Sequence, residues 1–163
     1  MNRIGTRVAL LLLILATIGC DRVTKHFAAA TLADMPTQSF LADTVRLEYA
    51  ENPGAFLGLG ASWPEATRIA VFAIGNGLLL LGLVVAAFRL RRSGAALAGL
   101  SLLLAGGASN LVDRVARGTV VDFLNVGIGP LRTGIFNVAD MAIMLGMAVV
   151  VCAGYSGRHK PKG

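Results

Sequence analysis

Two aspartates occupy places where a carboxylate is costly. Asp122 lies within Val120-Val121-Asp122-Phe123-Leu124, and Asp140 is the one charged residue in the run from Thr133 to Gly157. A carboxylate inside a bilayer costs about 2.5 kcal/mol or more, so a functional role is the default reading. If the two side chains meet, they cannot easily both ionise, and one holds a proton near neutral pH. One carboxylate then activates water while the other protonates its partner, which is the acid–base arrangement of an aspartic peptidase. The bland alternative is that each aspartate pairs separately with Arg114, Arg117 or Lys25. Spacing alone leaves both readings open.

Other catalytic chemistries find little support. No HExxH motif or Cys/His cluster with ligand spacing is present, which argues against a zinc peptidase. The histidines are His26, beyond the first apolar run, and His159, in a basic tail. Ser109 sits in Gly107-Ala108-Ser109-Asn110, which is not a nucleophile elbow. Cys20 and Cys152 have no evident base and are expected on opposite sides of the bilayer, too far apart for a disulfide. Ile18-Gly19-Cys20 looks like a lipoprotein processing site, but Thr17 precedes it and three further spans follow.

Further polar residues gather near the two aspartates. Asn110 and Arg114 stand four apart and share a helix face. Asn137 precedes Asp140 by three, and Asp21 and Lys25 are spaced i, i+4. Each alone reads as a helix cap or an interfacial ion pair. Together they set polar side chains from several span ends at one level, where they can hold a substrate backbone and orient carboxylates.

The elements that must position these groups follow from composition. Of 163 residues, 55% are hydrophobic and 15% charged, with a mean hydropathy of +0.70. That leaves too little polar surface to cover a water-soluble globule, since soluble domains carry roughly 25% charged residues. The chain reads as one membrane-embedded domain, 1–163. Its apolar runs predict four spans, at about 6–22, 68–88, 93–112 and 137–156, because crossing takes about 20 apolar residues. With the N-terminus inside, the inner segments hold eight basic residues and no acidic ones, while the rest of the chain nets −2. This positive-inside pattern puts both termini in the cytoplasm and accounts for the net +6 without nucleic acid. Trp63 and Tyr155 read as interface anchors.

Segments 23–67 and 113–136 then lie on the outer side of the membrane. Asp21–Leu32 continues helically from the first span. Val45–Tyr49 and Val120–Leu124 read as strands, Asn52-Pro53-Gly54 as a turn, and Gly127–Pro130 as a loop. Ser62 is expected to cap the second span, with Pro64 in its first turn. The fold class is mainly α: four transmembrane helices with a small sheet on the outer face of the membrane, whose platform would suit an extended peptide.

These motifs resemble lipoprotein signal peptidase (signal peptidase II). They are Asp21-x-x-Thr24-Lys25, Asn52-x-Gly54-Ala55-Phe56, Gly106-Gly107-Ala108-Ser109-Asn110-x-x-Asp113-Arg114, Val120-Val121-Asp122-Phe123 and Phe136-Asn137-x-Ala139-Asp140. The resemblance covers nearly the whole chain. Many members carry two alanines before the phenylalanine where this chain has one, so the register of that loop is open. The resemblance implies a bacterial inner-membrane aspartic endopeptidase with Asp122 and Asp140 as catalytic dyad. Asn52, Gly54, Asn110, Arg114 and Asn137 would line the site, and Asp21 and Lys25 would support it. The implied substrate is a diacylglyceryl-modified prolipoprotein, cut just before the lipidated cysteine. Membrane lipids and cyclic peptide inhibitors of the globomycin type are the other implied partners, with no cofactor or metal. A small proton-coupled transporter using Asp140 is the competing reading. It would favour ionisable residues near the midplane and an inverted repeat, and neither is evident.

Overall fold

The computed structural model describes residues 3–54, 60, 62–89 and 94–158. Four helices carry the apolar runs: α1 (Arg3–Leu32), α2 (Glu65–Arg89), α3 (Gly94–Arg117) and α4 (Val138–Arg158). All four are long and apolar enough to cross a membrane. The strands β1 (Gln38–Phe40), β2 (Val45–Asn52), β3 (Val120–Ile128) and β4 (Leu131–Arg132) form an antiparallel sheet in that order.

The helix α1 is a single 30-residue element, longer than the 6–22 span expected from hydropathy. Its last turns carry Asp21, Lys25 and Ala28 on one face, and all three are buried. The apolar side chains of Leu11, Leu12 and Leu15 face outward, as do Ile74 and Leu78 of α2 and Met144 and Val151 of α4. That inversion, apolar outside and ionic inside, is what a lipid surround selects.

The centre of the bundle is α3, which packs on each of the other three helices. Small residues make this possible. A Cβ at Gly99 would stand 2.8 Å from the Gly146 carbonyl oxygen, and one at Gly106 would collide with the Ala139 carbonyl. The two pairs sit seven residues apart on both antiparallel helices, so they form one close seam. Continued by one turn, the seam carries Asn110 to the start of α4.

The sheet sits where that seam ends. In β2 the register shifts by one residue: Leu47 faces Leu124, but Ala50 faces Asp122 and Asn52 faces Val120. A bulge of this kind inserts one extra residue on one strand. Side chains alternate faces along a strand, so the extra residue moves Asn52 onto the face that carries Asp122. A regular ladder would leave Asn52 on the opposite face.

The strand β3 runs on to Ile128, so the expected loop at Gly127–Pro130 shrinks to the turn at Gly129 and Pro130, with Gly129 at a φ of 55°. Phe136 then bridges back to Leu124. At the start of α2, the Pro64 carbonyl accepts the Arg68 N–H over 2.9 Å, which makes Pro64 and not Ser62 the capping position, two residues later than expected. Trp63 stacks on Phe72 at a centroid separation of 5.8 Å. Residues 55–59, including Phe56, and 90–93 lie outside the described residues.

Candidate active site

The start of α4 is a reciprocal cap. The Asn137 carbonyl accepts the Met141 N–H at 3.2 Å, which identifies Asn137 as the N-cap. Its Oδ1 accepts the Asp140 N–H at 3.0 Å, and Asp140 Oδ2 accepts the Asn137 N–H at 3.2 Å. This is a capping box with Asn and Asp in place of the usual Ser/Thr and Glu. Asn137 has one group left, and its Nδ2 donates to Asp122 Oδ1 at 2.6 Å. One asparagine thus joins the two aspartates.

The other carboxylate oxygens are held from two further elements. Asn52, swung round by the bulge, donates its Nδ2 to Asp122 Oδ2 at 3.0 Å, while its Oδ1 accepts the Gly54 N–H at 3.0 Å in the expected turn. Asn110 donates its Nδ2 to Asp140 Oδ1 at 2.9 Å. Each of the four carboxylate oxygens therefore accepts one N–H. Among the described residues neither Asp122 nor Asp140 forms an ion pair. Lys25 and Arg117, offered above as separate partners, bind Asp113 instead. Arg114 donates to the Asn110 and Gly54 carbonyls at 3.2 and 3.0 Å. Burial pushes the Asp122 carboxyl up to about 6, with the charge of Asp140 adding to the effect and the amides of Asn52 and Asn137 opposing it.

Behind this layer lies a second one, fully buried and ionic. The Lys25 ammonium reaches Asp21 Oδ2 at 2.7 Å, Asp113 Oδ2 at 2.8 Å and Asn110 Oδ1 at 2.8 Å. Asp21 also accepts from Ser109 Oγ at 2.6 Å and from the Ala139 N–H at 2.8 Å, tying α1 to α3 and α4. Asp113 accepts from Arg22 at 2.6 Å. All nine positions singled out in the sequence thus fall in one connected cluster. Asp113, Ser109 and Arg22 belong to it as well but were given no role by sequence reasoning. The available signal was spacing: Ser109 and Asp113 stand four apart and share a face with Asn110.

The two carboxylates open onto a cleft of about 850 Å³. Its polar wall includes Asn52, Asn110 and Arg114, and its apolar wall Phe72, Leu79 and Met144. The helix α2 packs on α3, with no comparable seam to α4 among the described residues. The cleft therefore runs down between α2 and α4.

The sequence profile of the family Signal peptidase (SPase) II matches residues 13–155. The chain belongs to this family. It is 34% identical over 157 residues to the lipoprotein signal peptidase of Moorella thermoacetica, covering 91% of this chain and 97% of that protein. It is 37% identical over 133 residues to the lipoprotein signal peptidase of Sphingopyxis alaskensis, covering 80% and 76%. A solved structure of a bacterial membrane enzyme, obtained in meso at 2.3 Å resolution, superposes with a TM-score of 0.82 at 25% identity, over 95% of this chain and 93% of that one. A second such enzyme, at 1.9 Å resolution, gives 0.77, covering 89% and 91%. The protein is a multi-pass bacterial membrane peptidase of the lipoprotein-processing class, with four apolar helices and a small antiparallel sheet.

Proposed function

We propose that this peptidase is an aspartic endopeptidase whose dyad is Asp122 and Asp140. In this reading it releases the signal peptide of a diacylglyceryl-modified prolipoprotein by cutting just before the lipidated cysteine. The observation that carries the reading is the pair itself: two carboxylates from β3 and α4, bridged by Asn137, free of ion pairs among the described residues, and facing one cleft. Membership of a peptidase family leaves the transporter reading of Asp140 without support.

The chemistry follows from a pair that shares one proton. A water between the carboxylates attacks the scissile carbonyl carbon, and the ionised aspartate takes its proton. The protonated aspartate gives its proton to the carbonyl oxygen, so the tetrahedral intermediate forms as a neutral diol. Collapse breaks the C–N bond. The amide nitrogen leaves as an amine after taking a proton from the aspartic acid formed in the first step. The diol returns one hydroxyl proton to the other aspartate, and the pair ends with one proton again. The remaining amide bonds keep both carboxylates pre-oriented, so little reorganisation precedes attack.

The cleft fits such a substrate. The apolar helix of a signal peptide would lie along the opening between α2 and α4, against Phe72, Leu79 and Met144. The acyl chains would stay in lipid, which holds the scissile bond at the level of the dyad. Both termini would be cytoplasmic and the site periplasmic, as the basic residues suggest. Globomycin-type cyclic peptides would compete for the same cleft.

The test is a cleavage assay on a lipidated precursor with purified wild type, Asp122→Asn and Asp140→Asn. Both variants should fold and lose turnover, and normal processing by either would rule out the dyad. An unlipidated precursor should be cut poorly by the wild type. Equal rates with and without the diacylglycerol would remove the lipid from the recognition.

A further inference from the structure

The three asparagines around the dyad share a constraint. A carboxamide can present either its oxygen or its NH₂ to a neighbour, and the two ends are nearly the same size. Only NH₂ serves an ionised carboxylate. In each case the choice is made by a group that can donate but never accept. The Gly54 N–H holds Asn52 Oδ1, and the Asp140 N–H holds Asn137 Oδ1. The Lys25 ammonium holds Asn110 Oδ1. The first two locks are backbone groups; the third depends on one side chain.

We infer that Lys25 is a positioning residue of the dyad, its ammonium orienting the Asn110 carboxamide so that Nδ2 rather than Oδ1 faces Asp140. This rests on the dyad reading above. Lys25 is suited to the task because nothing in its setting lets it turn away. Its side chain is 1% exposed, and its three N–H groups meet three acceptors: Asp21, Asp113 and Asn110. The charged groups around it are Asp21 and Arg22 on α1, Asp113, Arg114 and Arg117 on α3, Asp122 on β3 and Asp140 on α4. Among the described residues the one other donor to Asn110 Oδ1 is the Asn137 amide, at 3.4 Å, which already serves Asp122 at 2.6 Å.

Without the ammonium the Asn110 amide is free to turn over. Its oxygen would then face Asp140 Oδ1, an arrangement that is tolerable only if Asp140 holds a proton and donates it to Asn110. The proton would sit against the helix instead of toward the cleft, where the reaction needs it. Substrate binding in the cleft would not change, so the loss belongs to kcat and not to KM.

The experiment is a double-mutant cycle on the lipidated precursor with Lys25→Met, Asn110→Leu and the pair, alongside Asp122→Asn and Asp140→Asn. Lys25→Met should lower kcat about 10- to 100-fold, the cost of one misdirected buried hydrogen bond, with KM unchanged. In the Asn110→Leu background it should cost nothing more, because the group it orients is gone. A role limited to holding Asp21 and Asp113 would give the same additional loss in both backgrounds, and that additivity would overturn the inference. So would wild-type kcat in folded Lys25→Met. If Lys25→Met fails to fold, Lys25→Met with Asp113→Asn, measured against Asp113→Asn alone, removes an anion along with the cation and carries the same comparison. If neither folds while Asp113→Asn does, Lys25 serves the fold alone and the inference falls. Turnover in Asp122→Asn or Asp140→Asn would instead sink the dyad reading, whatever Lys25→Met does.

Discussion

Asn137 caps the helix that carries Asp140 and, with its remaining N–H, holds Asp122 at 2.6 Å. A group that ends a helix is thus also the link between two carboxylates 18 positions apart in the chain. Helix capping and active-site construction are here the same set of hydrogen bonds. Removing Asn137 would loosen both the cap and the link.

Asp122 gives a pH-dependent signature in stability. Burial raises its carboxyl from 3.8 to about 6. The folded state therefore holds this proton more tightly than the unfolded chain. The contribution of Asp122 to stability is greatest below pH 4, falls as pH rises between 4 and 6, and levels off above that. Asn at this position does not titrate. Relative to wild type, Asp122→Asn should gain up to about 3 kcal/mol between pH 4 and pH 7. Thermal unfolding of both proteins in one detergent across that range checks this, and a constant difference would contradict the raised carboxyl.

The helix seam sets a steric prediction. A Cβ at Gly106 collides with the Ala139 carbonyl, whereas one at Gly82 meets nothing within 4 Å. Gly106→Ala should destabilise by about 1–3 kcal/mol and cut turnover, because moving α4 off α3 parts Asn110 from Asp140. Gly82→Ala should be neutral or stabilising by up to about 1 kcal/mol, since Ala favours the helix. Melting temperature and turnover of the two variants decide it.

The bulge in β2 is a geometric device with its own test. Inserting one alanine between Glu51 and Asn52 would move Asn52 one position along β2 and turn it away from Asp122, because side chains alternate faces. Turnover should drop by about tenfold or more, the value of one buried hydrogen bond to a charged group, with helical content unchanged by circular dichroism. Wild-type turnover in the insertion variant would show that Asn52 is not required at Asp122.

Orientation in the membrane can be read at Asp34, an exposed charged residue in the turn between α1 and β1. A cysteine there, in a protein with Cys20 and Cys152 replaced by Ser, should react with an impermeant maleimide added outside spheroplasts. A tag at the N-terminus should be digested by protease only in inverted vesicles. The opposite pattern would reverse the assigned topology.

Much of this protein was legible in one dimension. Four apolar runs nearly free of charge define helices, since a bilayer admits hardly anything else, and basic residues at alternate ends suggest their direction. Asp122 and Asp140 drew notice because lone carboxylates in apolar stretches are expensive, and Asp21 and Lys25 did so through their spacing. Short strands such as Gln38–Phe40 and Leu131–Arg132 carry too few residues for a pattern and exist only through their partners. Three decisions belong to the tertiary structure alone. The extra residue in β2 put Asn52 on the Asp122 face, which alternation in a single strand cannot reveal. The glycine seam brought Asn110 to Asp140 by close approach of two backbones. The direction of the Asn110 amide was chosen by Lys25, a donor 85 positions away, whereas Asn52 and Asn137 take theirs from a local turn and a helix cap. Residue types and local periods are properties of the chain, but which end of the Asn110 amide meets a carboxylate depends on a neighbour that only packing supplies.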